Sequence, residues 1–120
     1  MSEVAPTTTR MQAYAQRAFE RVVARKGAEK FDEYARFAKS FPALIHSCGL
    51  CQAVAFAEAK QHKWFLEDVV HVLHDASIIS AAKLAEEART AMVVQYLLWS
   101  RRTLLAAMWL KRYVEALSDD

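Results

Sequence analysis

Residues 46–53 read HSCGLCQA and hold both cysteines of the chain, Cys48 and Cys51, with His46 just ahead of them. Thiolates and imidazole at this spacing are zinc ligands, and a C-x-x-C pair is also a redox unit. A structural zinc site needs four ligands, commonly two such pairs or one pair with two histidines. Cys48, Cys51 and His46 supply at most three, and His62, His71 and His74 lie well downstream. A thioredoxin-like reading needs a preceding strand and a βαβ context, and neither is present. The stretch therefore reads as two small buried thiols flanking a glycine junction, with no metal ligand assigned.

The next candidate is EDVVHVLHD. On a helix, Glu67, His71 and His74 share one face, and Asp68 and His71 stand three apart, like half of a carboxylate-bridged di-iron site. Such a site needs a second Glu-x-x-His and two further carboxylates from other helices. The chain offers no second copy. The residues read as a solvated polar stripe opposite Phe65, Val69, Val72 and Leu73. No G-x-S-x-G, phosphate loop or dinucleotide glycine motif occurs. Glu86 and Glu87 are adjacent, so on a helix they point in different directions. The chain does not read as an enzyme, and neither cofactor nor small-molecule substrate is expected.

The basic residues are more suggestive. Arg10, Arg17, Arg21 and Arg25 fall on one helical stripe. Arg36 and Lys39 share a face of a second helix. Arg101 and Arg112 lie three turns apart on a third, with Arg102 and Lys111 beside them. A ladder of cations along helices suits a regularly spaced polyanion. The plain alternative is an ordinary solvated helix face. Net charge is only +2, so nucleic-acid binding must come from local clustering of charge.

The elements that would carry these groups are helical. With 120 residues and 54% hydrophobic content, the chain suits one domain with a real core. Glycine and proline occur twice each, alanine is abundant, and no segment calls for a strand. Residues 1–8 read as a frayed tail, 9–117 as one helical domain and 118–120 as a short C-terminal tail. Thr9 and Gln12 form a T-x-x-Q capping box, and Gly27 suits a left-handed C-cap. Between them Met11, Ala15, Ala18 and Val22 make an apolar stripe with Phe19 at its edge.

A second helix is expected from Ala28 to Lys39, buried through Phe31, Tyr34, Ala35 and Ala38. Pro42 should force a new start capped by Ser40. Gly49 then separates two short helices, with Leu44, Ile45, Leu50 and Val54 as packing. Helices over WFLEDVVHVLHD and AAKLAEEART follow, with a break at Ser77–Ser80. From Ala91 to Leu117 nothing breaks a helix, giving roughly 40 Å at ~1.5 Å per residue. Apolar residues nearly encircle it, so it should be buried at the centre of the fold. The expected fold is all-α, a bundle of about five to six helices with a long C-terminal one. The polar start shows no secretory signal, and no apolar run is long enough to span a membrane. A cytoplasmic location without membrane contact is expected.

The stretch YARFAKSFPALIHSCGLCQAVAFAEAK (34–60) resembles the small helical subunit of the type III-B CRISPR effector, the Cmr complex. The family pattern Y-x-x-x-x-K-x-F-P-x-L-I, then G-L-x-Q-A-x-A-F, is met by Tyr34, Lys39, Phe41, Pro42, Leu44, Ile45, Gly49, Leu50, Gln52, Ala53, Ala55 and Phe56. The ending WLKRYVEAL (109–117) is similar to the family's W-L-K-R-F-A-E-A, with Tyr113 for phenylalanine. The start RMQAYAQRAFERV is also similar. A family Y-R-x-x-T pattern is kept only in Tyr96 and Ser100, with Leu97 replacing the arginine, and residues 61–90 match weakly. Both cysteines fall at variable positions of the pattern.

The resemblance implies a non-catalytic subunit of an antiviral ribonucleoprotein. Its copies would line up, with self-association along the complex, on guide (crRNA) and target RNA beside the repeating backbone subunit. That backbone subunit would cut the target. The candidate phosphate contacts are Arg17, Arg21, Arg25, Arg36, Lys39, Arg101, Lys111 and Arg112. The rival readings are a helical protein–protein adaptor without RNA contact, and a metal or thiol enzyme built on the histidine and cysteine clusters.

Overall fold

The computed structural model describes residues 8–118. Six helices form over them: α1 (Arg10–Lys26), α2 (Phe31–Cys48), α3 (Leu50–Ala59), α4 (Lys63–Leu73), α5 (Ala81–Thr90) and α6 (Val93–Leu117). Among the described residues no strand forms, only an isolated bridge between Asp75 and Ile78 in the turn after α4. The all-α expectation holds, with its long C-terminal helix. Most of the two expected tails, residues 1–7 and 119–120, lies outside the described range.

Local chemistry sets the ends of α1. The Gln12 N–H donates to Thr9 Oγ1 at 3.0 Å, and the Thr9 N–H donates to Gln12 Oε1 at 2.9 Å, which completes the expected capping box. Gly27 does end the helix, but at φ −84° it stays right-handed, so the left-handed cap is corrected. Its N–H reaches the Arg25 carbonyl instead. Tyr14, Ala18 and Val22 are the buried residues of α1, while Met11 is exposed and Ala15 half-buried.

The expected break before Pro42 does not occur. α2 runs through it to Cys48, and the Ser40 hydroxyl bonds the Phe37 carbonyl rather than capping a new helix. Proline removes one helical hydrogen bond, a cost of about 3 kcal/mol in a helix interior. Tyr34, Ala38, Phe41 and Ile45 form one buried stripe that spans the proline. A new start at Ser40 would rotate the second half of that stripe out of the core. Burying a Phe or Ile side chain is worth about 1.5–3 kcal/mol each, enough to offset the lost bond.

Gly49 is the junction that the sequence implied. It adopts φ 86° and ψ 164°, a region almost confined to glycine. Its N–H closes α2 on the Ile45 carbonyl at 2.8 Å. The Tyr96 hydroxyl of α6 accepts the Cys51 N–H at 3.0 Å, one of the unpaired donors of α3's first turn. Leu50, Val54 and Ile45 are buried and Leu44 packs against the core. Both thiols are free, but Cys48 is exposed and Cys51 half-buried, so the two buried thiols expected here are corrected.

α6 packs on α1, α2 and α4, with α3 and α5 grouped at one side. It runs antiparallel to α2: Ser118 lies by Ala35–Lys39, Lys111 by His46, and Tyr96 by Cys51. Trp99, Thr103, Ala106, Ala107, Leu110 and Val114 form its buried face. The expectation of apolar burial all round is corrected at its start. Met92, Val93, Val94 and Leu97 stay exposed, because the neighbouring helices cover only part of its first two turns.

These packing details have measurable consequences. In a Gly49→Ala variant a Cβ would stand 3.4 Å from the Tyr96 hydroxyl on a strained backbone. The expected loss is about 1–3 kcal/mol in denaturant unfolding. His62 stacks on Phe37, centroids 4.0 Å apart, with its Nδ1 buried and unpaired. Burial holds its imidazole below the usual value; Glu33 opposes this and Lys60 adds to it. The unfolded chain therefore binds a proton at higher pH than the folded one. Stability should fall as pH drops through and below about 6.5. His62→Phe should flatten the melting profile between pH 7 and pH 5.

Candidate functional site

Three arginines of the α1 stripe, Arg17, Arg21 and Arg25, reach α4, while Arg10 is exposed. Asp68 of α4 is 0% exposed, so the expected solvated stripe is corrected at this residue. Its carboxylate accepts from Arg21 Nε at 2.8 Å, and from Arg25 Nε and Nη2 at 2.9 and 3.1 Å. The Tyr34 hydroxyl of α2 donates to it at 2.6 Å. A buried carboxylate is tolerated only when paired and hydrogen-bonded, and this one is fully engaged. Arg25 also donates to the Trp64 carbonyl and lies over the Tyr34 and Trp64 rings. Arg17 donates to the Val72 carbonyl at 3.2 Å.

Burial, then the charge and hydrogen bond of Asp68, push the Tyr34 phenol far above its usual range. It remains a donor at any working pH. The hydrogen bond to Asp68 raises Arg25 further. This cluster ties α1, α2 and α4 into one block. A signal for it existed in the sequence. On α4, Asp68 lies between Trp64 and Val72, at the apolar side, whereas Glu67, His71 and His74 lie beyond its edge. Glu67, His71 and His74 are indeed exposed, and His71 sits 3.7 Å from Glu20.

The remaining candidate cations behave differently. Arg36, Lys39, Arg101 and Lys111 make no side-chain hydrogen bond or ion pair among the described residues. Arg112 only lies over the Trp109 ring, at 5.7 Å. Arg36 and Lys39 edge a broad groove of about 610 Å³ with Lys26, Glu29, Asp32 and Ser118. Lys111 and Arg112 edge a second groove of about 320 Å³ between α6 and α2, with Ala43, His46 and Glu115. Lys39, Ala43 and His46 share one face of α2, so the two grooves follow one another along the α2–α6 seam. The structure thus brings Arg36, Lys39, Lys111 and Arg112 to one side and adds His46, which cation counting alone missed. Arg101 stands apart, ten residues or roughly 15 Å up α6 from Lys111 at ~1.5 Å per residue.

Among the described residues no group of three or more histidine, cysteine, aspartate or glutamate side chains converges as a metal site. No helix there is long and apolar enough to cross a membrane.

The family model described as "CRISPR-associated protein (Cas_Cmr5)" matches residues 10–117. The chain belongs to the Cmr5 family. A relative from Thermus thermophilus, "CRISPR system Cmr subunit Cmr5", is 37% identical over 115 residues, covering 93% of this chain and 98% of its own length. A crystal structure of a CRISPR-associated Cmr5 family protein, also from Thermus thermophilus, superposes with a TM-score of 0.86 at 37% identity. The match covers 94% of this chain and all of that one. The family resemblance read from the Tyr34–Phe56 and Trp109–Leu117 motifs is therefore correct. In this Cmr5-family chain, Tyr34, the first letter of the motif, is a hydrogen-bond donor to the buried carboxylate.

The cations thus divide into a structural and a free set, and stability measurements should separate them. Asp68→Ala leaves two guanidinium groups without their counter-charge and should cost about 3–5 kcal/mol. Arg21→Ala and Arg25→Ala should each lower the melting temperature clearly. Alanine at Arg36, Lys39, Lys111 or Arg112 should change unfolding by less than about 0.5 kcal/mol.

Proposed function

We propose that the chain is the small, non-catalytic subunit of a type III-B CRISPR RNA-guided ribonucleoprotein, the Cmr complex. In this reading it stands along guide and target RNA in the cytoplasm and supports cleavage performed by other subunits. Its copies associate along the complex beside the repeating backbone subunit. The observation that carries the RNA contact is the division of the cations. Among the described residues Arg36, Lys39, Lys111 and Arg112 form no ion pair, and they lie along one α2–α6 seam.

Unpaired cations at a groove are the groups that phosphates recruit, through counterion release and without regard to sequence. His46 adds a further donor at the same groove. Arg21 and Arg25 serve the fold instead, since moving them to RNA would strip a buried carboxylate of its donors, and Arg17 is held by the Val72 carbonyl. The non-catalytic role is consistent with the same geometry. The buried carboxylate, Asp68, is engaged by Arg21, Arg25 and Tyr34.

The test is assembly of the complex on a guide–target duplex with the R36A/K39A/K111A/R112A chain, over a series of salt concentrations. Affinity should fall, and the log–log salt dependence should become shallower by roughly one unit per lost contact. Unchanged affinity and slope would remove the α2–α6 seam as the RNA contact.

A further inference from the structure

The first half of α6 leaves an apolar surface that meets the groove assigned to RNA only at its lower end, where Leu104 and Met108 line it. Val94, Leu97, Arg101, Leu104 and Met108 follow one another at spacings of three and four. That is the seam of a coiled-coil heptad, carried over two heptads on the outer side of the helix. In the folded chain this seam stays open. Val94 is 80% exposed, Leu97 61% and Met108 41%, Arg101 is exposed, and Leu104 is half-buried. Grooves flank its lower end on both sides. One runs against Pro42 and Ala43 of α2, the other against Met11 of α1 and Trp109. A ridge with a groove on each side is the shape into which a second helix packs. Scattered exposed apolar residues need no explanation, but a periodic row of them marks an interaction site.

The charges on the seam select the occupant. Residues 93–108 contain no aspartate or glutamate, and Arg101 stands at the centre of the row with no ion-pair partner among the described residues. Two copies of this seam laid together would bury two guanidinium groups with no carboxylate to meet them, which is costly. RNA would meet one cation among four apolar side chains, too little charge for a phosphate track. An amphipathic helix from a different protein fits both features. Its apolar residues at three- and four-residue spacing would cover Val94, Leu97, Leu104 and Met108, and a carboxylate would reach Arg101.

We propose that the outer face of α6 from Val94 to Met108 docks an acidic amphipathic helix of another subunit of the effector. This rests on the proposed place in that complex. α6 then has two jobs along its length: its first half is held by protein, and its last turns, with Lys111 and Arg112, face RNA. Arg101 belongs to the protein contact, not to the phosphate ladder.

The experiment compares wild-type, V94D/L97D and R101E chains in the reconstituted complex, with melting curves of each isolated chain. Because the altered side chains are exposed, all three should fold alike. V94D/L97D and R101E should enter the complex at least tenfold less well. A photo-crosslinking residue at position 97 of an otherwise wild-type chain should capture a peptide of another subunit that contains aspartate or glutamate within a helical apolar repeat. Capture of RNA, of a second copy or of the chain's own residues 1–7 would overturn the proposal, as would normal entry of both variants. Failure of the wild-type chain to enter the complex at all would overturn the Cmr-subunit reading itself, and this inference with it.

Discussion

A carboxylate shut away from water must be met by donors, and in this chain Asp68 is met by three side chains from two other helices. Arg21 and Arg25 come from α1 and Tyr34 comes from α2, while Asp68 itself sits on α4. These contacts span between 34 and 47 residues of sequence. They fix how α1 and α2 are rotated against α4, because a small rotation of any one helix would leave a buried charge unpaired. α6 then packs on the block so formed, against α1, α2 and α4.

The same interaction determines what the surface can do. Three of the four arginines on α1's stripe are drawn toward α4, so most of a stripe that looks like a phosphate track on a helical wheel is engaged within the fold, though still partly exposed. The free positive charge moves to the α2–α6 seam, where Arg36, Lys39, Lys111 and Arg112 form no ion pair among the described residues. The Gly49 junction completes the arrangement. Its positive φ lets α3 leave α2 at an angle, and the Tyr96 hydroxyl holds that turn against α6. The C-x-x-C that straddles it acts through its backbone: the Cys51 N–H is the bonded group, while the thiols remain free.

Much of the secondary structure is legible in the sequence because it follows from local rules. The capping box at Thr9, the glycine at 49, the break at Ser77–Ser80 and the long unbroken run to Leu117 all show within a few residues. The corrections share a cause. Pro42 suggests a break because local propensity disfavours it, yet a stripe of buried aromatic and aliphatic residues on both sides keeps the helix whole. Asp68 suggests a solvated group because carboxylates usually are. Whether one is buried depends on donors brought from elsewhere in the chain.

By itself, the sequence determined the helical content, most of the helix ends and the family, because caps, glycine, periodicity and motifs act over short distances along the chain. Tertiary structure alone decided which cations are structural and which are free, and which side of α6 stays open. Those outcomes depend on rotation angles between helices, and those angles are set by contacts such as Tyr34–Asp68 and Arg21–Asp68 that no local pattern encodes. An arginine's role here follows from whether a carboxylate from a distant helix reaches it.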